Sequence, residues 1–160
     1  PAFGTGGKVS TTVGDSAEGR AIALTPTGDI IVVGTSTIVA NKYFAAIKYA
    51  SLDGALDTTF GTAGMILEPL SSSSTTQGNS LALQTDGKLI VSGIVDSKIA
   101  LARYSSDGVI DTGFGDNGIS ITDAVGVSSA ASVEITSDGE ILVAGTGEGS
   151  TRFSLLKFVQ

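Results

Sequence analysis

The chain contains no cysteine and no histidine. Without thiols it has neither disulfides nor thiolate metal sites, and the usual redox clue to compartment is lost. Without imidazole, catalysis of the Ser or Cys triad type lacks its ordinary base near neutrality, and zinc lacks its ordinary ligands. Tryptophan is absent and aromatics make up 6% of residues, which removes most of the flat platforms on which sugars commonly stack. Positive charge is scarce: nine Lys and Arg against sixteen Asp and Glu leave a net charge of −7, which repels a phosphate backbone and argues against nucleic acid as a partner. No apolar run approaches the ~20 residues of a membrane-spanning helix, so membrane insertion is not expected. The sequence opens on Pro1 instead of Met. That reads as a processed or trimmed product from which a signal peptide has gone, and suggests an extracytoplasmic place, secreted or at the cell surface.

What is present suits short strands and tight turns. Of 160 residues, 41% are hydrophobic, only 16% are charged and 22 are glycine. That is too little charge for a disordered chain, and the length is enough for one domain to bury roughly 70% of its unfolded surface. The expected class is all-β, with residues 1–160 forming a single repeat domain.

Self-similarity carries most of the information. Phe3-Gly4-Thr5, Phe60-Gly61-Thr62 and Phe114-Gly115-Asp116 mark three copies, spaced by 57 and 54 residues. After each marker comes an apolar segment, Ala21 to Leu24, Ser80 to Leu83 or Ser132 to Ile135, which runs into a turn at Gly28, Gly87 or Gly139. Asp86-Gly87 and Asp138-Gly139 are hairpin signals, and Thr27-Gly28-Asp29 keeps the glycine that supplies positive φ. The runs that follow, Ile30 to Gly34, Leu89 to Gly93 and Ile141 to Gly145, are β-branched and too short for helices. A third strand is expected at Phe44 to Tyr49, Ile99 to Tyr104 and Phe153 to Phe158, each with a cation just before its last aromatic. The fourth is the segment after each Phe-Gly marker: Gly7 to Val13, Met65 to Leu70 and Ile119 to Asp123.

Four short strands per unit of about 55 residues, with no helix, is the pattern of a propeller blade. Leu56-Asp57-Thr58-Thr59-Phe60-Gly61, Ile110-Asp111-Thr112-Gly113-Phe114-Gly115, the Gly-turn hairpins and Ala100-Leu101-Ala102-Arg103-Tyr104 resemble delta-60 repeats over the whole chain. The resemblance implies a tandem repeat protein of bacterial, often secreted or surface, type, and brings no catalytic motif with it. The blades are also similar to those of the NHL type, which implies that the first hairpin strand lies nearest the ring axis. On that phase blade 1 covers about 19–70, blade 2 about 78–123 and blade 3 about 130–160. Residues 7–13 are left as a blade-closing strand with no blade of their own. Three blades are too few to close a ring. Either two chains form a six-bladed homodimer, each N-terminal strand completing the other's third blade, or these are three blades of a longer array.

Comparison of the copies places function at one rim. The first hairpin is constant, with six residues from Ile22 to Gly28, Leu81 to Gly87 and Val133 to Gly139, whereas Gly34 to Tyr49, Gly93 to Tyr104 and Gly145 to Phe158 span 15, 11 and 13. The loop joining the second and third strands is therefore expected to vary in length, on the same rim as the outer-to-inner connections. The candidate ligand-binding residues there and at the axis are Arg20, Asn41, Lys42, Asn79, Asp96, Lys98, Glu134 and Arg152, with Asp15, Glu18, Gln77 and Glu148 beside them. Either they keep a surface wet or they contact a ligand. Glu134 stands at an inner-strand position otherwise filled by alanine, and it invites an axial site or a structural salt bridge with Arg20. Asp53-Gly54-Ala55-Leu56-Asp57 and Asp107-Gly108-Val109-Ile110-Asp111 could offer oxygens to calcium or cap turns with their side chains. They lack the acidic density of an EF-hand, and capped turns are the reading adopted. The run Ser71 to Thr76 reads as a linker, or as a loop that accepts a glycan or touches a ligand. No catalytic residue, metal or cofactor is expected. The leading function is a non-catalytic scaffold that binds a protein or glycan through the variable rim. The alternative is a propeller glycosidase, lyase or lectin using acidic residues near the axis.

Overall fold

The computed structural model describes residues 2–70, 75–123, 127–147 and 151–158. Three antiparallel sheets follow one another along the chain. Blade 1 is β1 (Ser16–Leu24), β2 (Ile30–Ile38), β3 (Asn41–Tyr49) and β4 (Met65–Glu68). Blade 2 is β5 (Gln77–Leu83), β6 (Leu89–Val95), β7 (Lys98–Tyr104) and β8 (Ile119–Thr122), and blade 3 is β9 (Val127–Ile135), β10 (Ile141–Gly147) and β11 (Phe153–Phe158). In each sheet the strands lie side by side in chain order, as expected of tandem blades.

The first hairpins owe their identity to one glycine each. Gly28, Gly87 and Gly139 sit at φ of 89°, 84° and 85°, a region that costs a residue with a Cβ and costs glycine nothing. Each amide donates three residues back, to the carbonyl of Thr25, Gln84 or Thr136, while Thr25, Gln84 and Thr136 donate across to Asp29, Lys88 and Glu140. That is a turn closed by a left-handed residue, the common three-residue hairpin loop.

Both sides of the middle sheet are apolar because blades pack on both. Ile31, Val33, Phe44 and Ala46 of blade 1 meet Leu81, Leu89, Val91 and Ala102 of blade 2 in one core. On the other side, Ile90, Ile99 and Leu101 of blade 2 meet Val133, Ile141 and Val143 of blade 3. The first strands come closest: β1 contacts β5, and β5 contacts β9, which makes them the inner strands. Small residues fit this approach. Ser80 faces blade 3 and accepts the amide of Val133 at 3.2 Å, and Gly78 lies so near the Gly34 carbonyl that a Cβ there would collide with it.

The outer corners repeat as well. Isolated bridges Thr5↔Lys8, Thr62↔Met65 and Asp116↔Ile119 follow the three Phe-Gly markers. Gly61 at φ 56° donates to the Asp107 carbonyl of blade 2 at 2.7 Å, and Gly4 at φ 52° donates to the Asp53 carbonyl of blade 1 at the same 2.7 Å. Each corner thus seats on the blade that follows it. The fourth strands are shorter than the sequence suggests, four residues in β4 and β8. Residues 7–13 form no strand beyond the Thr5↔Lys8 bridge. They run over blade 1 instead, where Ser36 Oγ donates to the Val13 carbonyl at 3.0 Å and Tyr49 donates its hydroxyl to Thr11 Oγ1 at 2.8 Å.

Candidate functional site

Every inner strand carries a bulge at the same place. Gly19 pairs with Gly34 and Ala21 with Val33, which leaves Arg20 as the extra residue; Asn79 and Ala131 stand in the same relation in blades 2 and 3. A bulge turns one side chain out of the pleat and bends the strand. The glycine opposite permits it: a Cβ on Gly34, Gly93 or Gly145 would overlap the carbonyl oxygen of Glu18, Gln77 or Ser129. The terminal glycine of each central run is therefore a steric requirement of the bulge.

The three bulges converge. Arg20, Asn79 and Ala131 line one open cavity of about 560 Å³ at the axial end of the inner strands, with Glu18, Gln77 and Ser129 around them. A cleft of about 260 Å³ continues from it along blade 1, lined by Glu18, Arg20, Gln77 and Lys42 among others. Arg20 is held by Glu18 at 2.9 Å. Asn79 Nδ2 donates to the Ala130 carbonyl of the next blade at 2.7 Å, while its Oδ1 is buried with no hydrogen-bond partner among the described residues.

Of the residues singled out in the sequence, Arg20 and Asn79 reach the axial cavity and Lys42 the adjoining cleft. Asn41, Asp96, Lys98 and Arg152 lie on the same rim, at or beside the turns between second and third strands. Lys98 is paired with Asp123 at 3.6 Å, and Asp96 Oδ1 accepts the Thr75 hydroxyl at 2.9 Å. Glu134 sits apart from these residues. It pairs opposite Leu142 on the exposed face of blade 3 and is not among the residues lining the cavity, and the carboxylate beside Arg20 belongs to Glu18, two residues away on the same strand. Strand parity explains this, because Glu134 lies in the regular ladder whereas Arg20 is the bulged residue. Ser71–Ser74 and Glu148 lie outside the described residues.

The rim loops differ from expectation too. Between blades 1 and 2 the turn joining second and third strands does not lengthen: both blades use two residues, Val39-Ala40 and Asp96-Ser97. The extra length extends the arms, nine residues each in β2 and β3 against seven each in β6 and β7. All four turn residues have positive φ without being glycine, at 47°, 68°, 50° and 63°. For a β-branched residue such as Val39 this is a strained conformation. Asp15 helps to hold it, its Oδ2 accepting the Val39 amide at 2.7 Å.

The aspartates of the outer loops serve the turns. Asp53 Oδ1 accepts the Ala55 amide at 2.9 Å, and Asp57 Oδ1 accepts the Thr59 amide and hydroxyl at 3.1 and 2.6 Å. Asp57 also binds Lys48 at 2.9 Å. The Thr59 hydroxyl first and Lys48 second hold its carboxyl down at about 2. In blade 2 Asp111 binds Arg103 at 2.8 Å and Lys88 at 3.1 Å, and the Lys88 bond leads in lowering its pKa. Arg103 also lies over the Phe114 ring, 4.8 Å from its centre. Among the described residues, no group of three or more acidic side chains is arranged to hold a metal ion. At the opposite rim Asp86, Asp138 and Glu140 share a cleft of about 360 Å³ between blades 2 and 3. Asp86 there is 3.5 Å from Lys88, and Glu140 is 2.5 Å from Lys157.

Radially stacked antiparallel sheets, innermost first strands and a shared axial cavity define a β-propeller architecture. Residues 25–60, 84–114 and 136–158, more than half of the chain, match the model of a family described as a β-propeller domain of unknown function, DUF5122, and the chain belongs to that family. Each matched stretch opens next to a first-hairpin turn and closes by the end of the third strand or at the Phe of the outer corner. No curated protein matches the chain.

Proposed function

We propose that this domain is a non-catalytic scaffold that binds a protein partner through its axial rim. The convergence of Arg20, Asn79 and Ala131 on one cavity carries the reading. Three copies of one backbone device deliver three different side chains to the same place, while the hairpins behind them stay constant. Binding residues gather where a rigid scaffold presents variable positions. The cavity offers an arginine paired with a carboxylate, two side-chain amides and a serine hydroxyl around a wide mouth, which suits a polar peptide segment better than an apolar small molecule. The delta-60 likeness of the outer corners supports a tandem repeat protein of bacterial origin working outside the cytoplasm.

A second reading is favoured by the opposite cleft, where Asp86, Asp138 and Glu140 supply the carboxylates that hydrolysis of a glycoside needs. Arrays of peptides and of glycans, probed with the wild type, with Arg20→Ala/Gln77→Ala and with Asp138→Asn, separate the two. Peptide retention lost only in the first variant supports the scaffold. Glycan retention or glycoside turnover lost only in Asp138→Asn overturns it.

A further inference from the structure

Blade 1 carries one row of side chains that has no counterpart in blade 2. Past the glycine opposite the bulge, β2 runs on for four residues, from Gly34 to Ile38, whereas β6 runs on for two, from Gly93 to Val95. The register of the longer arms sets Ser16, Thr37 and Lys42 side by side across three strands, one step beyond Glu18, Thr35 and Phe44. Phe44 is buried in the core shared with blade 2, and the Thr35 hydroxyl accepts the Gly78 amide of blade 2 at 3.1 Å. Strand alternation then turns Lys42 toward the same side. In blade 2 the residues matching Thr35 and Phe44 are Ile94 and Ile99, and the chain turns at Asp96-Ser97 before a further row can form.

That extra row changes the charge of the cleft between the two blades. The cleft of about 260 Å³ is lined by Lys42, Arg20 and one carboxylate, Glu18, with Ser16, Thr37 and Gln77 supplying hydroxyls and an amide. Glu18 is already paired with Arg20, through Nη2 at 2.9 Å. Lys48, Lys88, Lys98 and Lys157 each hold a carboxylate, whereas Lys42, though half-buried, has no ion-pair partner among the described residues. Asp15 and Asp96, also on this rim, are not part of the lining; they accept the Val39 amide and the Thr75 hydroxyl. On a chain of net charge −7, the cleft thus keeps one positive charge without a counter-ion. An ammonium group drawn part-way out of water gains from a carboxylate that meets it there.

We infer that this cleft takes the carboxylate of an acidic residue, Asp or Glu, in a peptide segment of the partner protein. Lys42 supplies the counter-ion, and Ser16, Thr37 and Gln77 supply donors for the carboxylate oxygens. The guanidinium of Arg20, with five N–H donors, has some left after Glu18. A single negative charge balances the cleft. A phosphate monoester, at about −1.5 to −2, would leave excess negative charge beside Glu18. The volume lies below the roughly 300–1,000 Å³ of small-molecule sites, which suits one side chain and its neighbours. Among the described residues no aromatic ring lines the cleft, so a sugar has no face to stack on. Both walls come from blades that the chain itself supplies. The assignment rests on the scaffold reading and narrows that partner to one presenting acidic residues.

Peptide arrays printed in pairs, once with Asp and Glu and once with Asn and Gln in their place, test it on the intact domain. The expected result is retention of acidic peptides, weakened about 10-fold in the amide form and about 10-fold by Lys42→Gln, the scale of one charge-assisted hydrogen bond. Lys42→Arg should keep most of the binding, and Lys8→Gln, which removes the same charge at the exposed outer corner, should change nothing. Lys42→Glu should reverse the preference and retain peptides carrying Lys or Arg. Thermal unfolding checks that each variant is folded. Equal retention of acidic and amide forms, or a loss in Lys8→Gln as large as in Lys42→Gln, overturns the inference and leaves the scaffold reading standing. Retention of an oligouronate without retention of acidic peptides overturns it in favour of an acidic glycan. Retention of no peptide at all overturns both readings.

Discussion

The carbonyl oxygen of Glu18 occupies the space into which a Cβ on Gly34 would project. This contact sets the bulge at Arg20, and the same contact recurs between Gln77 and Gly93 and between Ser129 and Gly145. Gly34→Ala must push the bulge away from β2, an overpacking change that costs about 1–3 kcal/mol. Gly19→Ala is the control, since its added methyl would meet only the tip of Val32 at 3.3 Å. Thermal unfolding should show a drop of several degrees for the first and a much smaller one for the second.

Acid should loosen the outer corners. Asp57 is held at about 2 against an ordinary 3.8, and Asp111 is lowered as well. The folded state therefore holds these protons less tightly than the unfolded state. The stability they contribute is complete above the unfolded value and is lost as pH falls through the folded one, so for Asp57 the window runs from about 3.8 down to about 2. Asp57→Asn should cost about 1 kcal/mol at pH 7 through the weakened Thr59 and Lys48 bonds. It should also flatten the acid limb of a denaturant midpoint plotted against pH.

Glu68 and Tyr104 run the other way. Burial raises the pKa of Glu68, and burial followed by the Glu68 charge raises that of Tyr104. An acid with a raised folded pKa contributes stability below its unfolded value and loses it as pH rises through the folded value. Glu68→Gln should accordingly be more stable than the wild type at pH 7, with the advantage shrinking toward pH 4 in the same denaturant series.

The Tyr104 hydroxyl is buried with no hydrogen-bond partner among the described residues, whereas that of Tyr49 donates to Thr11. Tyr104→Phe should be neutral or stabilising by up to about 1 kcal/mol, and Tyr49→Phe should cost about the same amount. Paired urea titrations distinguish the two outcomes.

Rim substitutions should separate binding from folding. Arg20→Ala and Lys42→Ala touch no core contact, so their stability should stay within about 0.5 kcal/mol of the wild type. Their loss should show only in the retention of a peptide ligand, read by surface binding at equal protein concentration.

Much of the fold was legible because the repeat states each rule three times. Gly28, Gly87 and Gly139 at a constant distance from Ile22, Leu81 and Val133 announced the first hairpins, and they adopt the expected positive φ. The blade order followed from strands joined by short turns. The bulge leaves only a faint trace in the sequence: Arg20, Asn79 and Ala131 each stand eight residues before the turn glycine. A one-residue shift in a ladder depends on which backbone atoms meet across strands, and periodicity within one strand does not record that. The sequence pattern suggests loops where the hairpin arms run on, because Val39-Ala40 and Asp96-Ser97 turn without glycine, against the usual chemistry of such turns. Residues 7–13 carry a strand pattern, but a strand exists only beside another edge.

The glycine opposite each bulge has a consequence for how such a surface can diverge. The backbone at positions 20, 79 and 131 is fixed by a partner with no side chain, so the bulge itself does not dictate which residue is turned outward. Arginine, asparagine and alanine already occupy the three equivalent sites at no visible cost to the hairpins around them. A chain built this way can rewrite its recognition surface one letter at a time, by substitution at a few addresses, and leave its folding instructions unread by selection for the ligand.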